Sequence, residues 1–287
     1  MKIRFIINPI SGTGKQKDIE KYILKHLKES EIIYTKKAGD ATIISKKAAN
    51  EDVDAVIAVG GDGTVNECLK GLLNTNTALG VIPCGSGNGF SSHIGMEHNI
   101  EKAIKQLKDT RIEIIDSCTV NGAPFVNVSG IGFDAHIANI FFNLTKRGFL
   151  SYIKLVLREL FYNSNEYTIN YNNTERKVKA YMISFANASQ YGNNAKISPL
   201  ADFKDGLIDF VIVKDFPKWK IPIFTYKLLM GKVHLSKYVE IIQCERMIIK
   251  ARNILLHLDG EPFTTNNPIE VTLSPKSLKI LMPNAKK

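Results

Sequence analysis

Cysteine is scarce and scattered in this 287-residue chain: Cys68, Cys84, Cys118 and Cys244 form no C-x-x-C pair. That argues against a cysteine-based zinc site and a disulfide framework, and it fits reduced thiols in a cytosolic protein. Long apolar runs are missing too. No stretch approaches the ~20 apolar residues that span a bilayer, and the apolar run in MKIRFIINP is too short for a signal peptide. A cytoplasmic protein is expected, one that meets a membrane from the side if it meets one at all. Acidic residues are outnumbered, 28 Asp and Glu against 38 Lys and Arg, for a formal net charge of +10. Such a surplus favours anionic partners: nucleic acid, an acidic membrane surface or a phosphorylated small molecule. No nucleic-acid-binding motif is present, so no nucleic acid is expected as a partner. Internal repeats, low-complexity tracts and Pro/Gly/Ser-rich linkers are absent as well.

What is present is enough apolar residue, 44%, to build large cores. The first ~115 residues alternate strand and helix patterns: KIRFII, a helix from about Gln16 to Leu27, EIIYT, a helix over Asp40 to Ala49, AVIAV, a helix from Thr64 to Leu73, ALGVIP, then IEKAIKQL. Continuously apolar strands separated by helices predict a parallel sheet covered on both faces. Beyond Arg111 the pattern is strand-rich: IEIIDSCTV, PFVNVSGI, EYTINYN, RKVKAYMISFA, LIDFVIV, YVEIIQC, RMIIKA, ILLHLD, IEVTLS and LKILM. Helical segments interrupt it at Leu150–Phe161 and Pro217–Met230. This predicts an antiparallel β-sandwich with inserted helices. The domains are placed at residues 1–120 and 121–287, with the C-terminal residues free to pack back on the first domain and a cleft between the two.

Three glycine-rich turns follow strands of the first domain: NPISGTGK (8–15), GGDGTVNE (60–67) and PCGSGNGF (83–90). In a parallel sheet all three lie at the carboxyl ends of the strands, where open α/β folds bind ligands. Glycine permits positive φ and close backbone approach, and successive N–H groups at a helix N-terminus cradle anions. A phosphate is the natural guest. The familiar nucleotide motifs fail in detail: SGTGK lacks the first glycine and the Ser/Thr of a Walker A loop, and no G-x-G-x-x-G occurs. Asp62 would repel a phosphate unless a cation stood between them, which points to Mg²⁺. A helix cap for the segment starting at Thr64 is the other reading of Asp62, and the two are compatible.

GGDGTVNE, with NPISGTGK before it and PCGSGNGF after it, resembles the catalytic domain of the diacylglycerol kinase and sphingosine kinase superfamily of lipid kinases. The likeness continues through VNVSGIGFDAHI, KRGFLSY, SPLADFKDGLIDFVIV and HLDGEP, over nearly the whole chain. GGDGT alone is shared with NAD kinases; together with HLDGEP in a β-rich second domain it is specific. The resemblance implies an NAD-kinase-like α/β domain followed by a β-sandwich, with ATP and Mg²⁺ as cofactors. ATP would meet Asn8, Ser11, Gly12, Thr13 and Gly14 in the first turn and Thr35 after the second strand. It would also meet Gly60, Gly61, Asp62, Gly63, Thr64, Val65 and Asn66 in the second turn and Ser86 in the third. Glu261 would be the proton acceptor, with Asp259 beside it and Asp62 as the third catalytic carboxylate. A structural Mg²⁺ maps onto the Asp205 side chain with the carbonyls of Asp202 and Leu207. Gly89 breaks the pattern, since bacterial diacylglycerol kinases carry Asp at that place in the third turn. That aspartate's partners, Asp62 and Asp116, remain. Gly-Ser-Gly-Asn is nearer to the sphingosine kinases, so the acceptor stays open between diacylglycerol and a long-chain sphingoid base.

Read from the residues, Asp259 and Glu261 follow the strand ILLHL with Gly260 between them. Both could serve one face of a site, or they could be solvated carboxylates of an ordinary D-G turn. Lys15 would neutralise phosphate charge if it points inward. Asp134 reads either as a contact to a lipid head group, as the sphingosine kinases imply, or as a helix cap. Residues 141–160, with Lys146, Arg147 and Lys154, and residues 218–232 mix large apolar and basic side chains. Each suits peripheral contact with an anionic membrane surface, or a core face backed by a solvated basic one. A homodimer is among the assemblies this reading allows. The competing functions are a soluble-metabolite kinase of NAD-kinase type and a non-catalytic lipid-binding regulatory protein.

Overall fold

The computed structural model describes residues 1–12, 18–144, 149–252 and 254–284. The chain divides into two compact units, Met1–Asp116 with Pro275–Lys287, and Ser117–Ser274.

Unit 1 alternates strand and helix: β1 (Ile3–Ile7), α1 (Ile19–His26), β2 (Glu31–Tyr34), α2 (Asp40–Asn50), β3 (Ala55–Gly60), α3 (Asp62–Leu72), β4 (Ala78–Pro83), α4 (Gly89–His93) and α5 (Ile100–Gln106). The sheet order is β2-β1-β3-β4, all parallel. C-terminal residues extend it through Ile280, paired parallel to Leu79. Every residue of β1, β3 and β4 is buried, as continuous apolar strands between helical layers require. α2 packs on α3 at close range because residue 71 is glycine: a Cβ there would lie 2.1 Å from Ser45 Oγ. The guanidinium of Arg4 is buried but paired, with Glu31 and Glu51 each at 2.6 Å. The helix after the second glycine turn starts at Asp62 rather than at Thr64, with Gly61 as its N-cap. The chain leaves unit 1 within β5 (Thr110–Val120).

Unit 2 is an antiparallel sandwich. Its strands are β6 (Ala123–Phe125), β7 (Val128–Gly132), β8 (Asn165–Tyr171), β9 (Thr174–Ala180), β10 (Met182–Ala186), β11 (Ile208–Val213), β12 (Val239–Cys244), β13 (Arg246–Lys250), β14 (Leu256–Leu258), β15 (Glu261–Phe263) and β16 (Ile269–Pro283). One sheet runs β12-β11-β10-β7-β14-β15. The other holds the first part of β16 beside β13, β8 and β9. Phe185, Phe210 and Ile131 from the first sheet pack with Ile169, Met247 and Val271 from the second. The inserted helices are α6 (Phe133–Phe142), α7 (Phe149–Arg158) and α8 (Ile221–Leu229). Two stretches that read as single strands are broken. PFVNVSGI ends β6 at Phe125 and starts β7 at Val128, and RKVKAYMISFA breaks at Tyr181. In each case the strands on the two sides join different ladders, β6 with β5 and β9 with β8, but β7 and β10 with one another. Conversely, IEVTLS and LKILM are one strand, passing through Lys276 at a φ of +50°. α6 carried no separate signal, because its Phe133–Phe142 sequence is apolar nearly all round.

Candidate active site

In unit 1 the three glycine turns meet. Asn8, after β1, donates its N–H to Val59 O at 3.0 Å, and its side-chain amide reaches Thr64 Oγ1 at 3.2 Å. The first turn is thereby tied to both ends of the second. A Cβ on Gly85 would lie 2.5 Å from Gly61 Cα, and one on Gly61 would lie 3.2 Å from Gly85 Cα. The second and third turns therefore touch backbone to backbone, which leaves no room for a Cβ at residue 85 and little at residue 61. Gly12, at φ +76°, would drive a Cβ to within 1.9 Å of Cys84 O. It is the only glycine of the three turns with positive φ among the described residues. Gly61 has φ −93°, so close approach rather than unusual backbone accounts for it.

Asp62 sits where these turns converge. Its side chain bridges from the start of α3 to the third turn. Oδ2 accepts the N–H of Gly89 at 3.2 Å and Oδ1 that of Phe90 at 3.3 Å, at the start of α4. Gly89 thus meets Asp62 through its backbone, where the resemblance calls for a second carboxylate. Desolvation raises the pKa of Asp62 above its ordinary value, and the N–H groups of Gly89 and Phe90 pull the other way. Asn88 shapes the third turn: at φ +54° its side chain accepts Gly85 N–H and donates to Gly85 O, both at 2.8 Å. Thr35 is buried beside β1, its N–H on Ile7 O at 2.9 Å, and Ser86 is exposed. Thr64, Val65 and Asn66 are buried in the first turns of α3. Asp116 is buried and accepts the N–H of Lys276 at 2.7 Å. Thr13, Gly14 and Lys15 lie outside the described residues, as do Lys146 and Arg147.

In unit 2 the sequence HLDGEP forms a two-residue hairpin. Leu258 pairs with Glu261, and Asp259 (φ +47°) and Gly260 (φ +88°) make the turn. Positive φ at both central residues is the geometry that an Asp-Gly pair favours. The two carboxylates have different surroundings. Asp259 is 6% exposed and accepts the N–H of Asn127 at 2.9 Å and of Val126 at 3.1 Å. Those are the two residues at which the chain leaves β6 for β7, where no ladder partner exists for their N–H groups. Asn187 serves the carbonyl side of the same corner, donating to Val126 O at 3.0 Å. Asp259 therefore fills a backbone gap. Glu261, on β15, is exposed.

A polar cluster that the sequence did not join lies beneath the hairpin. His257 is 2% exposed, and its Nδ1 accepts Gly260 N–H at 3.1 Å. Its Nε2 faces Asp134 Oδ2 at 3.4 Å. Asp134 stands in the first turn of α6, and its Oδ2 also accepts the hydroxyls of Tyr191 at 2.9 Å and Ser184 at 3.1 Å. Burial, then the charge of Asp134, push the Tyr191 phenol well up, so it remains a donor. Gly130 makes room: a Cβ there would come within 2.4 Å of Asp134 Oδ2. Of these residues the sequence singles out Asp134, and His257 only as part of HLDGEP. Ser184 and Tyr191 are separated from Asp134 by 50 and 57 residues.

The turn expected to hold a structural metal is compact. Asp202 O accepts Asp205 N–H at 3.2 Å, and Asp205 Oδ1 accepts Leu207 N–H at 2.9 Å. Carboxylate and carbonyl oxygens each have more acceptor sites than one N–H occupies. No group of three His, Cys, Asp or Glu side chains suited to a metal occurs among the described residues, but one carboxylate with two carbonyls is a different donor set. No helix among the described residues is long and apolar enough to cross a membrane.

Comparison with known proteins accounts for both units. The diacylglycerol kinase catalytic domain matches residues 2–120. The YegS C-terminal NAD kinase beta sandwich-like domain matches residues 127–282. The diacylglycerol kinase of Bacillus subtilis is 27% identical over 281 residues, 91% of this chain and 89% of its own. A YegS-like protein of Chromohalobacter salexigens is 29% identical over 257 residues, 87% of this chain and 82% of its own. The diacylglycerol kinase of Mycobacterium tuberculosis is 27% identical over 296 residues, 98% of this chain and 95% of its own. A Bacillus anthracis crystal structure bearing the name diacylglycerol kinase has TM-score 0.75 at 23% identity, covering 99% of this chain and 97% of its own, and speaks for the fold.

Proposed function

This chain belongs to the family of diacylglycerol kinases and YegS-like lipid kinases, and from that premise we propose that it transfers the γ-phosphoryl group of ATP, with Mg²⁺, to a hydroxyl of a membrane lipid. The acceptor is diacylglycerol or a long-chain sphingoid base, reached by peripheral contact with the cytoplasmic face of an anionic membrane. The observation that most supports this reading is the convergence of three glycine turns on one half-buried carboxylate, Asp62.

Phosphoryl transfer depends on position and charge neutralisation more than on covalent chemistry. Backbone N–H groups of the turns and of the α3 N-terminus would hold the phosphate chain. Asp62 suits Mg²⁺: burial disfavours its charge, and a cation would offset that. When bound, Mg²⁺ neutralises phosphate charge. The Asp202–Leu207 turn would hold a second, structural ion through the Asp205 carboxylate and the carbonyls of Asp202 and Leu207. Glu261 takes the proton of the acceptor hydroxyl as its oxygen bonds to the γ-phosphorus and the bond to ADP breaks. Asp259, with both oxygens on backbone N–H groups, is a positioning residue that anchors the hairpin carrying Glu261. His257 supports the same turn from Gly260.

The test is transfer of labelled γ-phosphate from ATP to detergent-dispersed diacylglycerol, to sphingosine and to NAD, side by side. Label in a lipid is expected. Label in NAD alone would transfer the reading to a soluble-metabolite kinase. ATP binding with no acceptor labelled would favour a regulatory protein.

A further inference from the structure

Between Asp215 and Glu240 the chain has no acidic residue, but it has Lys218, Lys220, Lys227, Lys232 and Lys237. A 3-10 turn, Lys218–Lys220, leads there into α8. The helix has two apolar faces. Ile221, Phe224 and Leu228 pack inward against the cluster containing Tyr181, Val211 and Phe216. Trp219, Ile223, Tyr226 and Met230, spaced by four, three and four, form a second stripe on the opposite side. They are 72%, 55%, 61% and 54% exposed. A contiguous stripe of this kind marks an interaction surface rather than the scattered apolar exposure of any monomer.

Lys220 and Lys227 are held beside it, whereas Lys218 turns inward, its Nζ 4.0 Å from the Tyr181 ring centroid. Lys220 Nζ lies 4.9 Å from the Trp219 ring centroid and donates to Tyr238 Oη at 3.1 Å. Lys227 Nζ donates to Leu235 O at 3.0 Å. Trp and Tyr with flanking lysines are the side chains that settle at the headgroup level of a bilayer. We propose that the outer stripe of α8 inserts into the headgroup region of an anionic membrane. Charge decides the occupant. A segment, 216–239, that carries five lysines and no acidic residue complements anionic lipid. A second copy of this chain, meeting the same patch about a two-fold axis, would set lysines against lysines. The inference gives the lipid-acceptor reading its docking element and rests on it for purpose, while the geometry of the stripe is independent of it.

Trp219 is the chain's one tryptophan, so its fluorescence reports on the stripe alone. With vesicles of phosphatidylglycerol and phosphatidylcholine its emission should shift to the blue and be quenched by brominated lipid. Vesicles of phosphatidylcholine alone should have far less effect, and salt should reverse the shift. Ile223→Asp with Tyr226→Asp should weaken vesicle binding by at least about ten-fold. Lys220→Gln and Lys227→Gln, which spare the packing, should each weaken binding to anionic vesicles by about five-fold. Sedimentation with vesicles while emission stays unchanged would overturn the proposal, because another face would be docking. A concentration-dependent shift without vesicles would overturn it in favour of a second copy. Transfer to a short-chain, monomeric acceptor, measured in parallel, separates the two readings. A silent stripe with transfer intact sinks this inference alone. Insertion with no transfer to any lipid sinks the kinase reading alone.

Discussion

Asp62 in unit 1 and Asp259 in unit 2 make the same pair of bonds: each carboxylate accepts two consecutive backbone N–H groups. Their surroundings differ. Asp259 closes a corner where the chain changes ladders, at 2.9 and 3.1 Å, and is almost fully buried. Asp62 closes a junction between glycine turns, at 3.2 and 3.3 Å, and keeps some access to solvent. Bonding alone therefore does not distinguish a structural carboxylate from a working one. What distinguishes them is whether lone pairs remain accessible once the backbone is satisfied, and whether the neighbouring residues are glycines that admit a ligand.

The comparison breaks most sharply at Asp259. Asp259→Ala strips two buried N–H groups of their acceptor, and an unsatisfied buried donor costs about 1–3 kcal/mol. A loss of roughly 3–5 kcal/mol in unfolding free energy is expected in a urea titration. A loss below ~1 kcal/mol would show that the corner does not need the carboxylate. Glu261→Gln is the contrasting change on the same hairpin. Its side chain is exposed, so stability should hold, while single-turnover transfer to lipid should fall by at least about 100-fold, roughly 2.7 kcal/mol of barrier. A rate near that of the parent would remove Glu261 from the mechanism.

In unit 1 the contrast can be drawn between two glycines. Gly85→Ala puts a Cβ 2.5 Å from Gly61 Cα, and overpacking of that kind costs about 1–3 kcal/mol. Gly61→Ala, at 3.2 Å, should cost less in stability, and ATP affinity by calorimetry should drop in both. Unchanged affinity in both variants would move the phosphate site elsewhere. The smallest effect concerns pH. Desolvation raises the Asp62 pKa in the fold, so its ionised form is a cost at neutral pH, relieved as the pH falls through the folded pKa towards the unfolded value of about 3.9. Asp62→Asn should therefore gain in melting temperature relative to the parent at pH 7, with the difference shrinking towards pH 4. A difference independent of pH would mean that burial does not penalise this carboxylate.

By itself the sequence determined the alternation of unit 1, the sandwich class of unit 2 and the clustering of glycine turns at strand ends. Those are local signals: continuous apolar runs, a change of period, and residues whose missing side chains speak for the backbone. Tertiary structure alone decided the rest. Val126 and Asn127 lose their ladder partners because the chain changes sheets between β6 and β7, and the acceptor that replaces those partners is 133 and 132 residues away, in Asp259. Asp62 likewise finds its donors 27 and 28 residues on, and Asp134 gathers Ser184, Tyr191 and His257 from three strands or loops. For residues 218–232 the sequence offered membrane contact or a core face backed by a solvated basic one, whereas the fold gives α8 an inner apolar face against Tyr181 and Phe216 and an exposed apolar stripe as well. A sequence period records which side chains share a face; only the packing of distant strands determines what that face meets, and which backbone groups are left for a carboxylate to satisfy.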